Sequence, residues 1–283
     1  MLDIKVLGPL SIRHGDVEIT PTAQKLCTVL ALLLLNHVRA VPVSALIDEL
    51  WKDGPPKSAR TALQIYIFHL RKMLAQTTGL TLAEVSENLL QTVHNGYRFV
   101  VEPGQFDLKV YNRLRGDGCA AMGAGDYRSA AQHFRQALDL WRGPAVADVE
   151  PGTRIRAEVA ALEQSRMTML DYRIELDLRL GLHREILSEL AVHALRNRFQ
   201  ENLHAQYMIA LYRSGYRIRA LEAFHGLRHN MLTEFGLEPS PRLKEFHQAV
   251  LTLDPALDGA EVVPLPRRPT ADLPEIPVLA SSF

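Results

Sequence analysis

The sequence predicts a mainly α fold, in which a small α+β N-terminal domain is followed by an all-α domain of helical repeats. Three observations lead to this prediction. Within residues 1–100, short segments that alternate apolar and polar residues flank three segments of helical periodicity. From residue 106 to about residue 253, almost every segment has helical periodicity. In that second stretch, glycines recur at the period of a known helical repeat.

The bulk composition is that of a globular chain with two domains. There are 283 residues and 47% of them are hydrophobic, which is enough for two well-filled cores. Cys27 and Cys119 are the two cysteines, and so few favour a reducing compartment over a disulfide framework. The first residues lack the pattern of a signal peptide, and the longest apolar run, Val29–Leu35, is too short to span a bilayer. We therefore expect a cytoplasmic protein.

The N-terminal domain begins with three predicted strands and continues with three predicted helices. The strands alternate apolar and polar residues and span Asp3–Leu7, Leu10–Arg13 and Val17–Ile19. The helices follow the spacing of their apolar residues and span Thr22–Asn36, Val43–Trp51 and Ala59–Leu74. Proline ends the second helix at Gly54-Pro55-Pro56, and Ser58 is the expected N-cap of the third.

A β-hairpin is predicted after the third helix. Its strands, Leu90–Val93 and Tyr97–Val101, are separated by His94-Asn95-Gly96, where Asn-Gly suits a tight turn because both residues tolerate positive φ. The order of strands, three helices and hairpin is that of a winged helix-turn-helix, a fold that commonly binds DNA.

The charge pattern agrees with a polyanionic partner, although the net formal charge is zero. No acidic residue lies between Asp53 and Glu84, whereas Lys57, Arg60, Arg71 and Lys72 fall inside that interval. A neutral protein with one basic face can still bind nucleic acid. The same pattern also fits an ordinary protein-interaction surface, so charge alone leaves both alternatives open.

The third helix has two faces when its residues are placed on a helical wheel. Leu63, Ile67, Leu70 and Leu74, bordered by Tyr66, form the predicted core face. The opposite face carries Thr61, Ile65, Phe68 and Lys72, flanked by Gln64, His69 and Arg71. Isoleucine and phenylalanine on an exposed face can contact thymine methyl groups in the major groove. Lys57, Gln64, Arg71 and Lys72 suit phosphate contacts, and His69 suits either role.

The predicted hairpin supplies further candidate DNA contacts. His94 and Arg98 lie at or beside its tip, where cationic side chains commonly enter the minor groove. Tyr97 lies there too, but we expect it to pack at the base of the wing.

The second domain resembles tetratricopeptide repeats. Gly181 and Gly215 are 34 residues apart, which is the period of that repeat. Gly125 precedes Gly181 by 56 residues, so the array is irregular there, with a loop at Gly143–Thr153 and a long helix at Arg154–Leu180. Small and large apolar residues recur after the three glycines, namely Ala130, Ile186 and Ala220, and then Phe134, Leu190 and Phe224. We expect domains over residues 1–102 and 106–253, a hinge at Glu102–Gln105, and a proline-rich tail without fixed fold over 254–283.

Both halves resemble one known family. The segments Leu32–Asn36, Val41–Val43, Leu46–Trp51 and Leu63–Lys72 resemble the OmpR-type winged helix of Streptomyces antibiotic regulatory proteins (SARPs). In the second half, Leu203–His204, Ala210–Gly215, Ala220–Leu221 and Glu234–Pro239 resemble the bacterial transcriptional activation domain of the same proteins.

The resemblance implies an activator of a secondary-metabolite gene cluster. Such a protein binds tandem direct repeats near the −35 element, as a homo-oligomer (a dimer) on double-stranded promoter DNA, and recruits RNA polymerase holoenzyme through the sigma factor. The turn at Lys52–Pro56 is a candidate for that last contact. The chain departs from the family pattern at three positions. Phe68 stands where the family more often has a small polar residue, and His69 and His94 each stand where it more often has an arginine.

Enzymatic readings have little support in the sequence. His225 and His229 are one helical turn apart but have no third ligand at a suitable spacing, and Cys27 lies in an apolar helix. The glycine-rich phosphate loop of an ATPase is absent from the sequence. We therefore expect no catalytic, metal or cofactor site. The remaining alternative is a non-catalytic interaction scaffold that uses the repeat groove, and a small-molecule pocket in that domain stays open.

Overall fold

The computed structural model describes residues 2–51, 54–101 and 105–258. The chain divides into two compact units, and in its described part unit 1 contains residues 2–116 and 136–166, while unit 2 contains 117–135 and 167–258. Lys52 and Asp53 of the predicted sigma-contact turn, residues 102–104 of the hinge and the tail beyond residue 258 lie outside the described residues.

Unit 1 begins with an antiparallel meander that confirms the three predicted strands. The strands are β1 (Leu2–Lys5), β2 (Ser11–His14) and β3 (Val17–Glu18), in the order β1-β2-β3. Ile4 pairs with Ile12 across the ladder, and both side chains are buried. The alternation of apolar and polar residues therefore places one face of this sheet against the core.

The three predicted helices are also present, each with bounds close to those expected. They are α1 (Gln24–Leu35), α2 (Val43–Leu50) and α3 (Ala59–Thr78). Helix α3 runs one turn further than predicted and ends at Gly79, whose φ of +75° favours glycine. Ser58 occupies the N-cap position as predicted, although its side chain makes no capping hydrogen bond.

A fourth helix, α4 (Leu82–Asn88), precedes the wing and was not predicted. It starts with a capping box, in which the Thr81 hydroxyl accepts from the backbone N–H of Glu84 and the Glu84 carboxylate accepts from the backbone N–H of Thr81. The Thr-x-x-Glu pattern was therefore the sequence signal for this helix.

The wing is a three-stranded sheet in the order β4-β6-β5, made of β4 (Val41–Pro42), β5 (Leu90–Val93) and β6 (Gly96–Phe99). The turn is shifted by one residue from the prediction, because Gly96 pairs with Val93 and His94 carries the positive φ, +48°. Gly96 is needed for a different reason. A Cβ at this position would lie 2.4 Å from the carbonyl oxygen of Val41, so β4 can approach β6 only with glycine there.

The rest of unit 1 packs the N-terminal sheet against helical segments that follow residue 105. It contains the first part of α5 (Asp107–Gly123), the end of α6 (Tyr127–Asp139) and the first part of α7 (Thr153–Arg179). The Asp107 carboxylate accepts hydrogen bonds from the backbone N–H groups of Val6 and Leu7 at 2.9 to 3.0 Å. The predicted loop after α6 pairs with the same segment, since Arg142 and Val146 donate their backbone N–H groups to Leu7 and Val6.

Unit 2 confirms the helical repeats. It contains α8 (Leu187–Arg196), α9 (Glu201–Arg213), α10 (Arg217–Phe235), α11 (Pro241–Thr252) and a short 3-10 turn at Pro255–Asp258. The three predicted turn glycines, Gly125, Gly181 and Gly215, have φ of +81°, +78° and +86°. The recurring apolar residues are buried, namely Ala130, Ile186, Ala220, Phe134, Leu190 and Phe224. Within the described residues, no helix is both long enough and apolar enough to cross a membrane.

Unit 2 also buries several charges along α7. Arg173 donates to Asp177 at 3.1 Å and to Glu189. Burial opposes ionisation of Glu189, but hydrogen bonds from His193 and Arg173 outweigh it and lower the pKa of this carboxyl to about 2. Glu175 differs, because its Oε1 lies 3.7 Å from Nη2 of Arg179, further than the 2.8 Å bond that Arg173 makes to Glu189. Burial therefore raises the pKa of Glu175 to about 8.

Candidate nucleic-acid interface

Helix α3 has the two faces that its sequence predicts. Leu63, Ile67, Leu70 and Leu74 are all buried, and Tyr66 at their border is half-buried. On the other side, Ile65 is 49% exposed and Phe68 is 52% exposed. Burial of such side chains against a partner would release ordered water and contribute a favourable free energy of about 25 cal/mol per Å² of apolar surface. The helix therefore presents an apolar strip that the unit itself does not cover.

Polar side chains surround that strip and complete what we call the outer face of α3. Its exposed residues are Thr61, Gln64, Ile65, Phe68, His69 and Lys72, with Lys57 two residues before the start of the helix. The Phe68 and His69 rings meet edge to face at 6.1 Å. Since α3 contains no acidic residue, its own charges give this face a positive potential.

Arg71 connects α3 to the wing. Its Nε and Nη2 atoms donate to the carbonyl oxygen of Leu90 at 3.0 and 2.7 Å, and Nη2 also donates to the Thr92 hydroxyl at 2.8 Å. Burial lowers the pKa of the guanidinium. Arg71 therefore positions strand β5 against α3, a role that sequence reasoning missed, and its expected phosphate contact stays a prediction that would use the remaining Nη1 donors.

The candidate residues of the wing differ in their exposure and in their hydrogen-bond partners. His94 is exposed at the turn. Arg98 is half-buried, and its guanidinium donates at 2.7 and 3.2 Å to Gln91, the residue opposite it on β5. Tyr97 is only 8% exposed, which confirms that it packs at the base of the wing. Arg60 on α3 reaches Asn95 at the turn, with Nη2 3.4 Å from Oδ1.

Helix α2 supports α3 through aromatic contacts. The Trp51 and Tyr66 rings stack with centroids 6.4 Å apart, and the Lys25 ammonium lies 4.6 Å from the centre of the Trp51 ring. This arrangement links α1, α2 and α3 on one side of the helix-turn-helix. The sequence carried no specific signal for it beyond the aromatic residue types.

Glu49 connects α2 to the first turn of α7. Its buried carboxylate accepts from the backbone N–H of Arg154 at 2.8 Å and from that of Ile155 at 3.1 Å. These donors are among those that a helix N-terminus leaves free, and the helix dipole favours an anion there. Gly152 provides the space, because a Cβ on this residue would lie 2.5 Å from the Glu49 carboxyl carbon.

Candidate catalytic and metal groups do not assemble into a site in the described part of the chain. No group of three histidine, cysteine, aspartate or glutamate side chains suited to a metal occurs there. The His225 ring instead packs against Phe224 and His247. The Cys27 thiol donates to the carbonyl oxygen of Pro21, and burial raises its pKa, which disfavours the reactive thiolate.

The fold and the outer face of α3 together define a winged-helix protein with a helical-repeat domain, the architecture of a bacterial transcription regulator. Two family models match. Residues 15–99 match the family described as "Transcriptional regulatory protein, C terminal", and residues 106–251 match the "Bacterial transcriptional activator domain".

Several characterised relatives share this arrangement. Regulatory protein DnrI of Streptomyces peucetius is 44% identical, over 92% of this chain and 97% of its own length. Transcriptional regulator RedD of Streptomyces coelicolor is 33% identical, over 90% and 72%. Regulatory protein AfsR of Streptomyces griseus is 34% identical over the whole of this chain, but the match spans 28% of that larger protein. The solved structure of Mycobacterium tuberculosis EmbR with a low-affinity phosphopeptide superimposes with a TM-score of 0.82 at 28% identity, over 92% of this chain and 68% of that one.

The chain belongs to the SARP family of transcriptional regulators, with an OmpR-type winged helix and a bacterial transcriptional activator domain. The sequence-based prediction of family and fold class is thereby confirmed.

Proposed function

We propose that this regulator binds promoter DNA by inserting α3 into the major groove, with the wing against the adjacent minor groove. The observation that carries the proposal is the outer face of α3, where exposed Ile65 and Phe68 lie on a helix without acidic residues. The family match to OmpR-type regulators supports the same partner. An apolar strip bordered by cations fits base methyl groups flanked by phosphates.

Each residue of the interface has a proposed role. Thr61, Ile65 and Phe68 contact base edges, and His69 contacts either a base or a phosphate. Lys57, Gln64, Lys72 and the free donors of Arg71 bind phosphates, which fixes the position of α3 without selecting sequence. His94 and Arg98 lie along the minor groove. Because Arg98 already binds Gln91, we expect His94 to make the more adaptable of the two contacts.

The wider role follows from the family. We propose that the chain activates a secondary-metabolite gene cluster from tandem direct repeats near the −35 element, as a dimer on DNA in the cytoplasm. Its non-enzymatic action consists of recruiting RNA polymerase holoenzyme through the sigma factor, with Lys52–Pro56 as a candidate contact. The domain boundaries proposed for these tasks are 1–102, 106–253 and 254–283. Support comes from relatives that are named as regulators, among them DnrI and RedD.

Two substitutions in α3 test the proposed division of roles. In fluorescence anisotropy titrations with a labelled promoter fragment and single-base variants of it, Lys72→Ala weakens binding to all sequences by a similar factor. Ile65→Ala changes the order of preference among the variants, since an apolar contact with a thymine methyl group is lost only at the base concerned. Lys5→Ala is the matched control, because it removes the same charge from strand β1.

The outcomes separate DNA binding from the scaffold alternative. If Ile65→Ala weakens every sequence equally, then Ile65 does not select bases. If the unaltered chain binds no promoter fragment at low salt, then the exposed strip serves a protein partner and the DNA-binding proposal fails.

A further inference from the structure

Unit 1 contains a cavity of about 380 Å³ away from the outer face residues of α3. It lies between the end of α1, the first turns of α5 and the first part of α7. Its apolar walls include the buried side chains of Leu35, Leu108 and Leu162, and Val38 adds a further apolar group that is 59% exposed. This volume is within the range of about 300–1,000 Å³ that is typical of small-molecule sites.

The charges around this cavity are unequal. Among the described residues that line it, Lys109, Arg113 and Arg115 are cations and Glu158 is a carboxylate, which leaves an excess of two positive charges. His37 adds no charge at neutral pH, because burial lowers the pKa of its ring and the nearby Lys109 lowers it further. Cations beside a low-dielectric apolar wall favour an anionic group more strongly than cations on an open surface do.

Two of the residues that line the cavity carry polar groups with unused hydrogen-bonding capacity. The Oδ1 atom of Asn112 is buried and has no hydrogen-bond partner within the described part of the chain, so it lacks a donor. Lys109 Nζ donates to the carbonyl oxygen of Val101 at 2.7 Å, which holds the ammonium in place and leaves two of its three donors for a ligand. A buried acceptor without a partner is costly, and a bound ligand with a donor group would remove that cost.

We propose that this cavity binds a small organic acid with an apolar aromatic or aliphatic body, its acidic group on Lys109, Arg113 and Arg115 and its body against Leu35, Leu108 and Leu162. The body replaces water on the apolar walls, while a hydroxyl or amine on the ligand donates to Asn112. At this position a bound ligand can influence both the winged helix and the activator domain. It contacts α1 of the winged helix and α5 and α7 of the activator domain within one compact unit.

The test uses 8-anilinonaphthalene-1-sulfonate, an aromatic anion that fluoresces when it leaves water, with the full chain. We expect saturable binding at one site per chain by calorimetry, and displacement of the probe by octanoate. The double variant Arg113→Gln/Arg115→Gln weakens binding about tenfold or more, which corresponds to about 1.4 kcal/mol per factor of ten. The matched control is Arg39→Gln, because Arg39 is an exposed cation near the cavity that does not line it.

A further variant tests the cavity without removing a cation. Val38→Asp places a carboxylate beside the site and is expected to weaken binding of the anionic probe, with near-ultraviolet circular dichroism to verify folding. The proposal is overturned if the Arg113/Arg115 variant binds the probe as the unaltered chain does, if Arg39→Gln has the same effect as that variant, or if a cationic aromatic probe binds the unaltered chain as tightly. The result does not depend on promoter binding, so failure here leaves the proposed DNA interface untouched.

Discussion

The carboxylate of Glu49 provides a direct test of how the winged helix is attached to the start of α7. In Glu49→Ala, the backbone N–H groups of Arg154 and Ile155 lose an acceptor at 2.8 and 3.1 Å in a buried location. Hydrogen bonds to a charged group contribute about 1.5–3 kcal/mol each, and the solvent that enters the vacated space recovers part of that. The lost interaction with the helix dipole adds about 0.3–1 kcal/mol. We therefore expect the free energy of unfolding of unit 1 to fall by about 3–5 kcal/mol.

The assay follows unit 1 specifically, because both tryptophans of the chain, Trp51 and Trp141, lie in it. Urea unfolding monitored by tryptophan fluorescence at neutral pH gives the free energy from the midpoint and slope. Glu49→Gln keeps one acceptor oxygen and is expected to lose about half as much. Asp48→Ala, on the same helix but exposed, is the matched control and should change stability by less than about 0.5 kcal/mol. A loss for Glu49→Ala no larger than that of Asp48→Ala would refute the reasoning.

Three further predictions concern single residues. Arg71→Ala removes the hydrogen bonds to Leu90 and Thr92 and should lower the free energy of unfolding by about 1–3 kcal/mol in the same urea assay, with little recovery in Arg71→Lys, since lysine lacks the forked donors. Gly96→Ala forces a Cβ to within 2.4 Å of the Val41 carbonyl oxygen and should cost about 1–3 kcal/mol or more, whereas Gly116→Ala, with open space around it, should be neutral or slightly stabilising. Glu175→Gln should become more stabilising, relative to the unaltered chain, as pH rises from 5 to 8. The pKa of Glu175 is raised from 4.5 to about 8 on folding, so the stability linked to its proton is complete below pH 4.5 and is lost as pH rises through 8. Melting temperatures of both proteins at the two pH values decide this, and a variant that becomes less stable relative to the unaltered chain between pH 5 and pH 8 would show that Glu175 is an ion-pair partner.

Local patterns predicted most of the secondary structure. Apolar residues recur at helical spacing in α1, α2 and α3, and apolar and polar residues alternate in β1 and β2. Both patterns arise because one face of each element is buried, and both are visible in the sequence. The helical wheel of α3 also predicted that Ile65 and Phe68 are exposed. Helix α4 could have been predicted as well, because Thr81 and Glu84 form a capping box, but its seven residues carry too little apolar periodicity to stand out.

Long-range contacts could not be predicted in this way. Asp107 binds Val6 and Leu7 across about a hundred residues, and Glu49 caps a helix that begins at Thr153. Nothing in the local sequence distinguishes these buried carboxylates from exposed ones such as Asp48. The same applies to Arg71, whose residue type suits a phosphate contact, while only the fold shows that the Leu90 carbonyl lies within its reach.

The central claim is that the outer face of α3 recognises a specific promoter sequence. The most direct measurement is the salt dependence of binding by the full chain to promoter fragments of the genes that neighbour its own gene and to a shuffled fragment of equal length. The account predicts tighter binding to the promoter at every salt concentration. It also predicts that log Kd rises with log salt at about 0.9 per phosphate contacted, with a slope about one contact smaller for Lys72→Ala. Equal affinity for promoter and shuffled DNA, or no binding to either at 50 mM salt, a concentration at which electrostatic contacts are strong, would contradict it.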